Sequence, residues 1–415
     1  MGLSRRFLDL IVVNREHATR SLRRIDLKRL ELFYPTPPPP PPAPTRRPTT
    51  TMESILHPDP NINSIVQFGA HSLMEILLPD PILKFGAHSL RGAGGPCDLA
   101  CYPFGQRKVL TTDQAGRNLL YDASSRDVVV MPEFRKPKFP GCFSLFVPSG
   151  VGEDNYLEEE GEDDHEGEGE VDAKYEREGG GAGSLYLMVR CLREVKTFDF
   201  EVLFYGNGRK TSHCKLLPLP PFVLEPIHRH EYPEIRSYAV VGGGSHICVS
   251  VDGRGTYTLD TVSHTWDKVG NWMLPFHGKV EYVPEFKLWF GLSSDGRHLA
   301  AADLSTMDAH SPPQVAAGHS WEEFQRPVEW AERGLDIDQV GVQLVNLGSG
   351  RFCIARFFMN SLESEDCVVY FAILTGVEMV SCVLPSGKVV LDMIPHKAMF
   401  HLRSTVDGGY IEQLF

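Results

Sequence analysis

Short apolar runs separated by turn-forming residues make up most of the chain. RKVLTT, NLLYD, DVVVMP, FDFEVLFYG, HICVSV, GTYTLD, KVEYVP and RFCIARFF are rich in Val, Ile, Tyr, Phe and Trp, and Gly, Asp, Ser or Pro lies between them. This pattern predicts strands throughout and an all-β fold. Helical spacing is confined to His319 to Arg333, which Pro327 divides into two short pieces.

Two stretches repeat a hairpin. YDASSRDVVVMPEF and LDTVSHTWDKVGNW each place an Asp after an apolar residue, a Ser three positions later and a bulky apolar residue at plus six: Asp122, Ser125, Val128 and Asp260, Ser263, Trp266. One strand ends at the Asp, whose carboxylate accepts backbone N–H groups in the turn, and the next begins at the bulky residue. Residues 25–35 fit more loosely through Asp26 and Leu32, and Asp303 is a further weak match.

From Asp122 to Asp260 is 138 residues, or two units of roughly fifty once an acidic insert of about thirty is set aside, and from Asp260 to Asp303 is 43. Units of that length, each a four-stranded meander, indicate a kelch-like β-propeller of about six blades, with a β-sandwich as the alternative. In the best unit a glycine cluster, Gly242 to Gly244, precedes Tyr257 by fourteen residues from Gly243, and Trp266 follows nine later. The glycines are expected to let inner strands crowd a central channel, and the two aromatics to fill the space between sheets. The N-terminal strands, residues 1–34, are expected to pair with the C-terminal ones and close the propeller. That reading makes Arg5, Arg6, Arg23, Arg24, Lys28 and Arg29 solvent-facing; a basic nucleic-acid arm or an organellar transit peptide are the alternatives.

Three segments interrupt the strands. Nine prolines between Pro35 and Pro48 make residues 35–54 a linker of polyproline or coil. QFGAHSL at Gln67 to Leu73 recurs as KFGAHSL at Lys84 to Leu90, a period of 17 too short for a blade, and reads as a local duplication on the surface. Residues 151–182 hold almost only Glu, Asp and Gly in their central part and are expected to be a disordered loop within the propeller, which spans 55–415.

Charge belongs to that loop. The chain of 415 residues carries a formal net charge of -13, but residues 151–180 contain 14 acids and 2 bases, leaving the remainder at -1. Nine dispersed cysteines and the absence of a signal sequence or an apolar stretch of membrane-spanning length predict an intracellular protein, in cytoplasm or nucleus, with reduced thiols.

The segments SRRFLDLIV, SLRRIDLKRLELFYP, NLLYDASSRDVVVMP, LPLPPF, ADLSTMD, LVNLGSGRFCIARFF and, most specifically, Gly255 to Leu292 resemble the grass-expanded family known as domain of unknown function 1668. The resemblance implies a plant protein with a kelch-like propeller and no assigned activity, and supplies no catalytic residues. The FGAHSL duplication departs from it.

Chemistry is sparse. His228 and His230, i and i+2 on a strand, share a face and are the nearest approach to a metal site, but no third ligand can be assigned. Cys97 and Cys101 lack a partner pair, no GxSxG elbow occurs, and neither glycine run has phosphate-loop spacing. The expectation is a monomeric, noncatalytic scaffold for unidentified protein partners, without cofactor or metal. An enzyme with its site at the channel mouth, or a nucleic-acid binder, are the alternatives.

Overall fold

The computed structural model describes residues 5–14, 19–34, 74–86, 99–105, 107–113, 115–123, 125–135, 138, 142–149, 182–190, 199–206, 212–225, 233–316, 318–325, 337–361, 368–402 and 409–415. Strands run through nearly all of it. Phe7–Asn14 (β1), Thr19–Asp26 (β2), the one-turn helix Leu27–Leu30 (α1), Met74–Glu75 (β3) and Leu83–Gly86 (β4) come first. Three meanders follow: Ala100–Phe104 (β5), Lys108–Thr112 (β6), Asn118–Asp122 (β7) and Val128–Met131 (β8); then Cys142–Pro148 (β9), Gly183–Val189 (β10), Phe200–Tyr205 (β11) and His213–Leu216 (β12); then, after helix Pro221–Leu224 (α2), Ile235–Val241 (β13), His246–Val251 (β14), Gly255–Asp260 (β15) and Trp266–Gly270 (β16). The chain continues through Phe276–Val283 (β17), Leu288–Ser293 (β18), Leu299–Ala302 (β19), Ser320–Trp321 (β20), Ile337–Gly348 (β21), Arg351–Ser361 (β22), Val368–Val383 (β23), Val389–Leu402 (β24) and Gly409–Leu414 (β25). The fold is all-β, built of four-stranded blades in propeller arrangement.

Two units divide the chain. One comprises Met1–Gly86, Val283–Ala301 and Val315–Phe415; the other comprises Ala87–Tyr282 and Ala302–Gln314. In the second unit β5 to β8, β9 to β12 and β13 to β16 are sequential antiparallel sheets, and β13 also pairs in parallel with β17. The β9–β12 sheet shows how sequence alternation builds the interior. Phe143, Leu145, Val147, Tyr186, Met188, Phe200 and Val202 leave one face to pack against Ile247, Val249, Tyr257 and Leu259 of the next sheet. The residues between them, Leu185, Leu187 and Leu203, leave the other face and pack on Tyr102, Phe104, Leu110 and Leu120 of β5–β7. Side chains alternate with period two, so a sheet buried on both faces must be apolar at odd and even positions alike. Burying each large side chain contributes about 1.5–3 kcal/mol.

In the first unit β1 pairs with both β2 and β25, so residues near the two ends of the sequence share one sheet, β25-β1-β2-β4. Leu8, Leu10 and Val12 from β1 join Ile411 and Leu414 in a core with Leu347, Cys353, Ala355 and Leu374 of the long β21–β24 sheet. The opposite face of that sheet sends Phe352, Ile354, Val377 and Met379 toward Phe290, Leu292 and Leu299. On β24 the parity switches between Met399, in the first of these cores, and Met393 and Leu391, packed on the second, because the register shift at Thr375/Val377 gives β24 one extra residue, and a Cβ on Gly376 of β23 would lie 2.9 Å from Leu32 Cγ.

Several expectations are corrected. Residues 25–35 form no hairpin turn; Asp26 accepts the Lys28 N–H at 3.0 Å and caps α1, a local use of the same side-chain chemistry. Residues 319–325 are not helical. Ser320–Trp321 pairs with β19, and the Trp321 ring stacks on Phe290 at 6.5 Å, so core packing overrides the helical spacing. The LPDP sequence of the second duplicate is partly built in: Leu78 packs on the core, the Pro79 carbonyl accepts from Arg23 at 3.0 Å, and β4 pairs with β2. Arg23 and Arg24 do not face solvent. Arg24 forms a two-point ion pair with buried Asp9 at 2.7 and 2.9 Å, which the alternation of β1 turns inward and which needs a cation beside it. Arg6 pairs with Asp26 and Arg20 with Glu412. Arg6, Lys28 and Arg29 are exposed, as expected. The proline-rich linker, the first duplicate and residues 151–181 lie outside the described residues.

Among the described residues a deeply buried ion pair joins Lys138 to Glu201, 2.6 Å apart and 2% and 1% exposed, where Glu201 also accepts the Arg135 N–H at 3.0 Å. Removing one partner strands a charge in the interior. Glu201→Ala should therefore destabilise the protein by about 3–5 kcal/mol, read as a lowered urea midpoint; a loss under about 1 kcal/mol would show that water reaches Lys138.

Candidate functional site

Asp122 and Asp260 organise their turns in the same way. Asp260 Oδ1 accepts the N–H groups of Val262 and Ser263 at 2.8 and 2.7 Å, its carbonyl accepts His264 N–H at 3.0 Å, and its own N–H donates to Thr265. At Asp122 the corresponding donors are Ser125 N–H at 3.4 Å to Oδ1 and Arg126 N–H at 2.8 Å to the carbonyl, while Asp122 N–H donates to Asp127. Both turns place their fifth residue, Arg126 or His264, at positive φ. A third turn of this design uses Ser293, with Arg297 at positive φ and His298 N–H donating to Ser293 Oγ at 3.1 Å. Its signal in the sequence, SSDGRH, has Ser where the other two have Asp. Asp303 makes a smaller turn, accepting only Ser305 N–H among the described contacts.

The turns of the second unit gather at one end of its sheets. The β13–β14 turn is Gly242–Gly244, with φ of 60, 67 and 108°, a left-handed run that glycine tolerates. This corrects the expectation that these glycines relieve crowding between strands, since a Cβ on Gly243 would meet nothing within 4 Å. Gly244 lies beside Val147, near the end of β9, and there Ser149 N–H donates to Ala182 O at 2.9 Å. The acidic run therefore leaves and re-enters the fold at a closed hairpin stem beside the glycine turn. Lys108, Tyr205, His213, Lys215, Ser245, His246 and His264 occupy the same end. Lys108 Nζ donates to Tyr205 Oη at 3.2 Å and lies 3.7 Å from Asp122 Oδ2. Lys215 Nζ lies 3.2 Å from His264 Nδ1.

Ser245, His246 and Asp260 have the residue types of a nucleophile, a base and an orienting acid. Their hydrogen bonds assign them to the turn. Ser245 Oγ donates to Gly242 O at 2.9 Å, so its contact with His246 Nδ1 at 2.7 Å uses a histidine N–H as donor. A histidine donating to the serine does not take the serine's proton. His246 Nε2 is 3.7 Å from Asp260 Oδ2, and the two residues are direct cross-strand partners in β14 and β15.

Other sequence-selected residues go elsewhere. Tyr257 and Trp266 enter the core between the β9–β12 and β13–β16 sheets. Tyr257 Oη donates to Glu225 at 2.9 Å, and Trp266 packs on Phe200 and Phe222 while its indole N–H donates to Pro218 O. Val128 starts the exposed strand β8, and Ser263 and Ser125 serve their turns. His228, His230 and Cys97 lie outside the described residues. Among those described, no three His, Cys, Asp or Glu side chains are grouped to hold a metal ion, and Cys214, Cys248, Cys353 and Cys382 are free thiols. No helix among them is long and apolar enough to cross a membrane.

A family model described as "Protein of unknown function (DUF1668)" matches residues 5–401. The chain belongs to the DUF1668 family. No curated protein matches it. Among solved structures, the DUF1668 chain is similar to the β-propeller domain of Cps50 (Swd1) from Myceliophteria thermophila, at 10% identity and TM-score 0.36 over 93% of this chain and 96% of that one. It is also similar to the dihydro-heme d1 dehydrogenase NirN in complex with DHE, at 11% identity and TM-score 0.29 over 95% and 74%. Apo AztD from Citrobacter koseri aligns at 9% identity and TM-score 0.31 over 79% and 80%.

Two predictions follow from the charges of this DUF1668 structure. The Ser263 and Val262 amides hold the Asp260 carboxyl below the usual range, so Asp260→Ala should lower the thermal midpoint at neutral pH, with a smaller effect in acid where the carboxylate is already protonated. Equal effects at both pH values would exclude an ionic role. Burial lowers the affinity of His264, His319, His396 and His401 for protons. For each, the unfolded chain takes up the proton first. Their stabilising contribution is therefore complete above the ordinary value of 6.5 and is lost as pH falls below it, ahead of the carboxylate loss nearer the ordinary 3.8 of Asp. Urea midpoints across pH should decline in these two stages, and a flat profile between pH 7 and 5 would contradict the assignment.

Proposed function

We propose that this DUF1668 protein is a noncatalytic scaffold of a reducing, intracellular compartment, and that it presents partners with the turn-bearing end of its second unit. With β17 to β20 counted as one blade, the reading takes the fold as six kelch-like blades closed by β1 and β2. The observation that carries the functional reading is the anchoring of the acidic run. Ser149 and Ala182 are hydrogen-bonded to each other, and the intervening sequence holds twelve of the thirteen net negative charges of the chain at that end. Such a concentration of one sign attracts a basic surface over about a Debye length and speeds its encounter. The neighbouring polar groups are committed to the turns, as Ser245 is to Gly242 and Asp260 to Val262 and Ser263, which supports recognition over reaction chemistry. The free thiols among the described residues support a reducing compartment.

The test replaces residues 150–181 with Asn-Gly, a two-residue hairpin turn that β9 and β10 can accept without a change of register. The shortened chain should keep its thermal midpoint. It should lose the basic partners that the intact chain captures at low salt, and the intact chain should release them as salt rises. Recovery of the same partners by both chains would reduce the run to a spacer and refute this reading.

A further inference from the structure

The outer strand of the β5–β8 sheet differs from its counterparts in the second unit. β12 carries His213 and Lys215, and β16 carries Asp267 and Lys268, on strands that end their sheets on the same side. Charges of this kind keep an open edge from pairing with another chain. β8 reads Val-Val-Val-Met, with no charge between Asp127 and Glu133. Among the described residues its hydrogen-bonded neighbour is β7 alone. Asp122 N–H donates to Asp127 O, and backbone direction alternates along a strand, so the groups of Asp127, Val129 and Met131 face β7. The N–H and C=O groups of Val128 and Val130 consequently face outward. Val128 is 47% and Val130 80% exposed, and Leu119, directly opposite Val130, is 41% exposed.

We propose that β8 is a dimerisation edge on which a second copy of this chain lays its own β8 in antiparallel register. With a two-fold axis at Val129, Val128 of one copy faces Val130 of the other, and their outward backbone groups meet as hydrogen-bonded pairs. The exposed apolar positions become two cross-strand rows, each running from Leu119 through Val130 to the other copy's Val128. The flanking charges support a second copy as the occupant: the same register brings Arg126 of each chain to the end of the strand where Glu133 of the other lies, and both side chains are exposed. Like charges are never brought opposite one another within the paired strands. Because the contact is isologous, it consumes the edge and closes at two chains without growing into a fibre. Four residues per strand make a small interface, so the dimer is weak and concentration-dependent.

Sedimentation velocity on the full chain, up to roughly 100 µM, should show a reversible monomer–dimer equilibrium, as this size of contact implies. Val130→Lys should weaken dimerisation about tenfold or more by placing a charge in the apolar row, while leaving the thermal midpoint in place because the side chain is solvent-exposed. Arg126→Glu and Glu133→Arg should each weaken it, and the double exchange should restore it. A monomer at every concentration overturns the proposal, as does a dimer insensitive to Val130→Lys. Open-ended oligomers also overturn it, since a closed two-fold contact cannot form them.

Discussion

Burial of both faces of a sheet is the constraint on which each unit depends. The β9–β12 sheet has no solvent face in its middle strands: Tyr186 and Met188 look one way, Leu185 and Leu187 the other, and both sets are fully buried. The β21–β24 sheet repeats this with Phe352 and Ile354 on one side and Cys353 and Ala355 on the other. A one-residue slip would exchange the two sets and mismatch both interfaces at once, so register is specified far more tightly than in a sheet with one wet face. The register shift at Thr375/Val377 gives β24 one extra residue, which sends Met399 and Met393 to opposite faces so that each meets its own core.

Polar chemistry has to fit around that constraint. Where a strand position turns inward and carries a charge, the fold supplies an opposite one, as Arg24 does for Asp9 and Lys138 for Glu201. Where the chain reverses, carboxylates and hydroxyls accept the turn amides that no strand can reach, as at Asp122, Asp260 and Ser293. The strand edge, by contrast, is governed by backbone groups, and β8 is set apart by the absence of the charges that its counterparts β12 and β16 carry.

Strands and their turns were readable in the sequence because both are local. Alternation within six residues and the Asp-x-x-Ser spacing act through neighbouring backbone groups, and the blade length emerged from the interval between such turns. Gly242 to Gly244 were also visible, but their role was misassigned, because positive φ leaves the same residue as close packing does. The helical spacing that begins at His319 misled over residues 319–325 for the opposite reason: Trp321 is placed by Phe290, thirty-one residues away, and a local pattern carries no trace of that contact; residues 326–333 lie outside the described residues.

The sequence by itself determined the all-β class, the meander unit and the confinement of net charge to one insert, since each follows from short-range periodicity or from composition. Only the tertiary structure decided which charges meet. His246 stands opposite Asp260 and Arg24 beside Asp9 because strand register sets partners across fourteen and fifteen residues, while Lys138, outside any strand, meets Glu201 across sixty-three. It also decided that β1 finds β25 across nearly the whole chain, and that β8 ends its sheet among the described strands. Such pairings depend on the simultaneous fit of two buried faces, a condition that no single stretch of sequence expresses.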